Sequence, residues 1–177
     1  MELVRPSAVY KASFIEAMKE FQHDTDYTHR SLAYKKLSVE DLEADFESFV
    51  ETELSYERGD NLPDGHVPCT ELWLVDDYVF IGRVSIRHRL TDNLLRIGGH
   101  IGYDVRPSKR GQGYGNAILG RALGKAKELG ITRVLLTSDI RNTASRKIIE
   151  NNGGVLENQI PNPEMGYDVL RFWIDIV

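Results

Sequence analysis

Apolar residues along the chain change their period several times, and each change marks an element. Glu2 to Arg5 reads as a short strand, and Pro6-Ser7 then opens a helix. On that helix Val9, Tyr10, Phe14, Ala17, Met18 and Phe21 recur at helical spacing through about Gln22. A polar stretch with mixed signals follows around Thr25 to Lys36. Ser38-Val39-Glu40-Asp41 has the form of a capping box, and Leu42, Phe46, Phe49 and Val50 make one apolar stripe, which predicts one further helix. Ser55 to Cys69 lacks periodicity and contains Gly59, Pro63, Gly65 and Pro68. A loop of that length in a compact domain is either mobile or functional.

From Thr70 the period becomes two. Glu71 to Val75 and Tyr78 to Arg87 are rich in β-branched and aromatic residues and meet at Asp76-Asp77, which predicts a hairpin. Leu94 to Val105 continues as a third strand, with Gly98-Gly99 marking a bulge or a close backbone approach. A helix is expected from about Gly113 to Leu129, ended by Gly130, then a strand over Arg133 to Thr137 and a helix over Asn142 to Asn151 stopped by Gly153-Gly154. Leu170, Phe172, Ile174 and Ile176 alternate in a closing strand over Tyr167 to Ile176. The order predicts a single α+β domain over residues 1–177, its mixed, mostly antiparallel sheet covered by helices.

At 177 residues the chain is long enough for one well-buried core. With 41% hydrophobic and 28% charged residues it excludes wholesale disorder and low-complexity fibres. The longest apolar runs span four residues, so no membrane span and no signal segment is expected, and a cytoplasmic protein is the default. One cysteine, Cys69, excludes an internal disulfide framework and a thiolate metal cluster. Charge is unevenly spread. Ser38 to Asp77 carries thirteen acids against Arg58 alone, while Arg106 to Glu150 carries ten bases against three acids. The pattern fits solvated helix faces, or an anionic ligand on the second half and a cationic one near the first. Nucleic acid is not expected, since the basic segment holds few aromatics and the acidic half repels phosphate.

The chemistry concentrates in Val105-Arg106-Pro107-Ser108-Lys109-Arg110-Gly111-Gln112-Gly113-Tyr114-Gly115, where a strand ends and a helix begins. Three alternate glycines let the backbone turn tightly with its N–H groups uncovered. The helix start adds unpaired N–H groups and the positive end of its dipole, an anion cradle suited to phosphate or pyrophosphate. A nucleotide-binding P-loop is excluded, because Gly115 is followed by Asn116-Ala117 rather than Lys and Ser or Thr. A dinucleotide fingerprint fits poorly, because the spacing is G-x-G-x-G and the turn follows a β-meander.

Arg110-Gly111-Gln112-Gly113-Tyr114-Gly115 matches the R/Q-x-x-G-x-G/A signature of the GNAT superfamily of acyl-CoA-dependent N-acetyltransferases. Tyr103-Asp104-Val105-Arg106-Pro107 resembles that family's fourth strand and V-x-P lead-in. Asn142-Thr143-Ala144-Ser145, with Ile148-Ile149 and Gly153, resembles its second motif. The resemblance covers nearly the whole chain and implies a GNAT-like α+β fold with acetyl-CoA as co-substrate and no metal. It implies that backbone N–H groups around Arg110, Gly111, Gln112, Gly113, Tyr114 and Gly115 hold the CoA pyrophosphate. The strand edge at Tyr103 and Val105 would pair with the pantetheine arm, the N–H near Tyr103 facing the thioester oxygen. Asn142 would reach the cofactor while also capping its helix, and Ser145 would pack beside it.

Many family members place a tyrosine seven residues after the motif asparagine to protonate the leaving thiolate; here Ile149 stands there. The base that takes the amine proton is expected among His100 and His88, because imidazole titrates near neutrality. Glu71 is a further candidate at a strand start, and Cys69 has no flanking histidine and carboxylate to make it a nucleophile. The resemblance therefore implies acetyl transfer to the primary amine of a small-molecule or peptide acceptor by direct attack. A non-catalytic acyl-CoA-binding module of the same fold is the alternative. Dimers are common in the family, and the alternating closing strand is one surface that would pair across an interface.

Overall fold

The computed structural model describes residues 1–25, 34, 37–60 and 62–176. The elements run β1 (Glu2–Val4), α1 (Lys11–His23), α2 (Val39–Ala44), α3 (Phe46–Arg58), β2 (Cys69–Asp76), β3 (Val79–Arg87), α4 (Asp92–Arg96) and β4 (Ile101–Val105). They continue with α5 (Tyr114–Glu128), β5 (Arg133–Asp139), α6 (Thr143–Asn151), β6 (Val155–Ile160) and β7 (Val169–Asp175). Apart from Thr25 and Tyr34, the polar stretch expected around Thr25 to Lys36 lies outside the described residues.

The strands form two sheets, one ordered β1-β2-β3-β4 and one β5-β7-β6, and the paired ladders are antiparallel. Between β2 and β3 the turn is made by Asp77 and Tyr78, both at positive φ (47° and 65°), the geometry that suits the right-handed twist of a two-residue hairpin. One face of the first sheet packs Leu74, Val84 and Ile86 against Ile118, Leu119 and Ala122 of α5. The other face packs Trp73, Val75 and Phe80 against Phe14, Met18 and Phe21 of α1 and Phe46 of α3. Phe14 stacks on Trp73 with ring centroids 4.7 Å apart. Cutting such a fully buried ring back to alanine costs about 3–5 kcal/mol.

Three expectations change. The stripe from Leu42 to Val50 belongs to two helices, because Asp45 leaves helical geometry and its Oδ1 accepts the Ser48 N–H, starting α3 afresh. α3 then runs to Arg58, so the loop before β2 is shorter than Ser55 to Cys69. Leu94 to Val105 is not one strand. Thr91 Oγ1 accepts the Leu94 N–H and caps the short helix α4, and only Ile101–Val105 is extended. A capping hydroxyl reads the local backbone more strongly than alternation among leucines and isoleucines.

The closing strand β7 lies between β5 and β6, so both its edges are occupied and it cannot pair across an interface. The edges of that sheet are β5 and β6. No helix among the described residues is long and apolar enough to cross a membrane.

Candidate active site

The backbones of the two sheets meet around Gly99 and His100. His100 N–H donates to Leu135 O at 2.8 Å, Leu135 N–H donates back to His100 Nδ1 at 2.9 Å, and Gly99 bridges to Leu136. Gly99 has φ 65°, and a Cβ there would lie 2.4 Å from Leu135 O. The close backbone approach expected at Gly98-Gly99 is therefore at Gly99, and it requires glycine. Beyond this clamp β4 and β5 separate, and a cleft of about 330 Å³ lies between them.

One wall of the cleft is the edge of β4. Arg87 N–H donates to His100 O and Arg106 N–H to Ile81 O. That parity aims the backbone groups of Gly102 and Asp104 at β3, and those of Ile101, Tyr103 and Val105 away from it, toward the cleft. The opposite wall is Leu136 to Asp139 of β5, and the head of α6 closes the far side through Asn142, Ala144 and Ser145. Asn142 Oδ1 accepts the Ser145 N–H at 2.8 Å, so it caps α6 while facing the cleft. Tyr103 and Ser145 join their hydroxyls across the cleft at 3.2 Å, and burial pushes the Tyr103 phenol up to about 12.

At the lower end of the cleft stands the glycine-rich turn. Gly111 (φ 73°) and Gly113 (φ 86°) hold left-handed backbone, and a Cβ at either would meet nothing within 4 Å. Space is open above the N–H groups that start α5. Gly115 has a different task. A Cβ there would meet Ile148 Cδ1 at 2.4 Å, so this glycine lets α5 and α6 approach closely. Gln112 Nε2 donates back to Ser108 O and ties the turn, while Tyr114 packs against the core.

The basic residues before the turn are mostly spent within the fold. Arg110 donates to Asp24 Oδ2 at 2.8 Å and to Val105 O at 3.2 Å. Arg106 donates to Glu20 at 2.7 Å, and Glu20 also accepts the Ser108 N–H. These contacts hold the Glu20 carboxyl below its usual range against the opposing effect of burial. Two ion pairs from the last turns of α1 thus grip the turn from outside.

Neither histidine lines the cleft. His100 Nδ1 is occupied by Leu135 N–H, its ring lies edge-on to Trp173, and burial followed by the nearby Arg87 charge lowers its pKa. His88 Nε2 contacts Thr70 Oγ1 at 2.8 Å, beside Glu57. Cys69 is held toward its thiol form by burial. Ile149 is fully buried in the core, while its neighbour Ile148 borders the cleft. The sequence reading missed Asp104, Thr137, Ser138, Asp139 and Tyr167, which line the cleft, and, while it named Glu71 as a candidate base, it missed the polar group behind β4 in which Glu71 meets Arg83 and Asp104. The available signal was charge at inward positions of otherwise apolar strands. Among the described residues no group of His, Cys, Asp or Glu could hold a metal ion.

A family model described as an acetyltransferase (GNAT) domain matches residues 11–155. No curated protein matches the sequence. Among solved structures, the microcin C7 self-immunity acetyltransferase MccE in complex with acetyl-CoA and AMP superposes with a TM-score of 0.70 at 16% identity, over 98% of this chain and 91% of that one. The ribosomal L7/L12 α-N-protein acetyltransferase RimL in complex with coenzyme A gives 0.71 at 17% identity, over 98% and 93%. YncA of Salmonella typhimurium, a putative acetyltransferase with acetyl-CoA, gives 0.64 at 15%, over 99% and 94%.

Proposed function

Because the chain belongs to the GNAT acetyltransferase family, we propose that it moves the acetyl group of acetyl-CoA to the primary amine of an acceptor by direct attack. The observation that carries this reading is the meeting, in one cleft, of an unpaired strand edge with an open N–H cradle at a helix start.

The residues fit the group. The N–H groups from Gly111 to Gly115 would hold the pyrophosphate, with Arg110 shaping the turn through Asp24 rather than facing the phosphate as a free charge. The cleft-facing edge at Tyr103 and Val105 would take the pantetheine arm as an added strand. Asn142 and Ser145 would border it from α6. Acetyl-CoA supplies an activated thioester. The Tyr103 N–H would then donate to the oxygen that gains charge during attack.

The amine must be neutral to attack, and a residue at the cleft is better placed to take its proton than His100 or His88. On the α6 side the Tyr103 and Ser145 hydroxyls are offered to the leaving sulfur, where Ile149 offers none. A thiol titrates near about 8.5, so its thiolate leaves without a strong acid. The high phenol pKa and the missing hydroxyl at Ile149 favour the alternative reading of a CoA-binding module without turnover.

One experiment separates the two. The protein is incubated with acetyl-CoA and a panel of spermidine, an aminoglycoside, free amino acids and a peptide with an unblocked N-terminus, while thiol release is followed. Amine-dependent release supports the transferase. CoA binding without release on any amine supports the module, and absence of CoA binding refutes both.

A further inference from the structure

The clamp between the two sheets uses a side chain where a ladder would use a carbonyl. Leu135 turns its backbone groups toward β4: its O accepts the His100 N–H at 2.8 Å, and its N–H donates to His100 Nδ1 at 2.9 Å. A third link runs from the Gly98 N–H to Thr137 Oγ1 at 3.0 Å. Of these three acceptors, only Nδ1 takes up a proton in the range where proteins stay folded.

The geometry fixes the state of the ring. A backbone N–H is always a donor, so Nδ1 keeps its lone pair and the ring proton sits on Nε2. On protonation both ring nitrogens carry an N–H. Two donors would then face each other at 2.9 Å, and Leu135, which has no exposed surface, would hold an unsatisfied buried N–H. Moving β5 away from β4 relieves that contact, whereas Gly99, packed against Leu135 and Leu136, blocks a closer approach.

The surroundings keep the ring neutral. It lies edge-on to Trp173 of β7, whose ring is covered at 4.6 Å by Arg133 of β5, itself paired with Asp175. From β3, Arg87 donates its N–H to His100 O, and its guanidinium, held by Gly98 O and Gly99 O, repels charge on the ring. Cys69 and Glu71 of β2 and Arg83 of β3 act on Arg87 in turn. Arg96 of α4 donates elsewhere, to Pro161 O. Burial and then the Arg87 charge hold the imidazole below its ordinary range. The clamp also stands where the cleft opens, since Gly98, Leu136 and Thr137 line the cleft beside it.

We propose that His100 is a positioning residue for CoA: its neutral Nδ1 sets the distance between β4 and β5, and a proton taken from solvent onto that nitrogen loosens the cleft and weakens cofactor binding. This role rests on the reading that CoA lies between β4 and β5, and it needs no acceptor. A base would show its titration in turnover of the amine, whereas the clamp shows it in CoA binding alone.

The test is calorimetric titration of CoA, without acceptor, between about pH 5 and pH 8 on the wild type, His100→Asn and His100→Leu. Asn sets Oδ1 as many bonds from the backbone as Nδ1, and Oδ1 does not titrate. The CoA phosphate itself titrates at about 6, so the wild type is read against His100→Asn at each pH. At the alkaline end, His100→Asn should bind within about threefold of the wild type and His100→Leu at least about tenfold more weakly. As pH falls through the His100 titration, the wild type should lose up to about tenfold in affinity per pH unit relative to His100→Asn. Amide exchange of the Leu135 N–H reads the clamp without ligand. Its protection should fall over the same range in the wild type and stay level in His100→Asn. Parallel pH profiles of these two proteins in either readout, or a His100→Leu protein that binds CoA like the wild type, overturn the inference. The Asn comparison stands by itself where the Leu variant fails to fold. A protein that binds no CoA strikes the proposed activity, and the Leu135 profile then decides the clamp.

Discussion

Gly99→Ala tests whether the clamp between the sheets makes the cleft. Gly99 sits at φ 65°, and a side chain in left-handed backbone costs about 1–2 kcal/mol. The added methyl would also meet Leu135 O at 2.4 Å and Leu135 C at 2.9 Å. Both atoms belong to the backbone of a residue with no exposed surface, so the strand itself must move. That movement strains the two hydrogen bonds joining His100 to Leu135, each worth about 1 kcal/mol. The total is roughly 3–4 kcal/mol, and at about 2–4 °C per kcal/mol for a chain of this size the midpoint of thermal melting should drop by about 10 °C. CoA affinity should fall more than tenfold at temperatures where the variant remains folded, because β4 and β5 no longer diverge from a fixed point. Gly124→Ala is the control. It lies inside α5 with nothing within 4 Å of the new methyl, and should stabilise by about 0.5–1 kcal/mol. A Gly99→Ala protein that melts with the wild type and binds CoA equally would refute the account of the clamp.

Gly113→Val places a β-branched side chain at φ 86° over the open cradle, and calorimetry should show CoA affinity lowered at least tenfold, about 1.4 kcal/mol; unchanged binding would remove the pyrophosphate from this turn. Glu71 titrates near about 8 in the fold but near about 4.3 unfolded, so the native state holds an extra proton between those values. Its contribution is full below the unfolded value and is lost as pH rises through the folded one, at up to about 1.4 kcal/mol per pH unit. Urea melts across that range should show the fall, and Glu71→Gln should flatten it. His88→Gln should leave the pH dependence of kcat/KM unaltered, since His88 contacts Thr70 away from the cleft; loss of an acid limb in that variant would return the base to His88.

What the sequence determined by itself is what neighbouring residues decide among themselves. The left-handed stop at Gly130, the Ser38 and Asn142 caps, the hairpin read at Asp76-Asp77 and turned one residue later at Asp77-Tyr78, and the open glycine turn each depend on a few adjacent residues. Their signals survive without knowledge of the fold, and so the CoA side of the cleft was legible. The same local logic misled where a cap outweighed a period, as at Asp45 and Thr91. Tertiary structure decided what charge and lone pairs are used for. Arg106 and Arg110 belong to the basic half whose charge pattern fits an anionic ligand, yet Glu20 and Asp24, each 86 residues away in sequence, take up their guanidiniums. His100 read as a base, yet its Nδ1 fastens the second sheet to the first. The polar group behind β4 draws Glu53 from a helix and Glu71, Arg83 and Asp104 from three strands. A side chain's partners across a sheet depend on register and on which face is covered, and neither is fixed until distant segments pack.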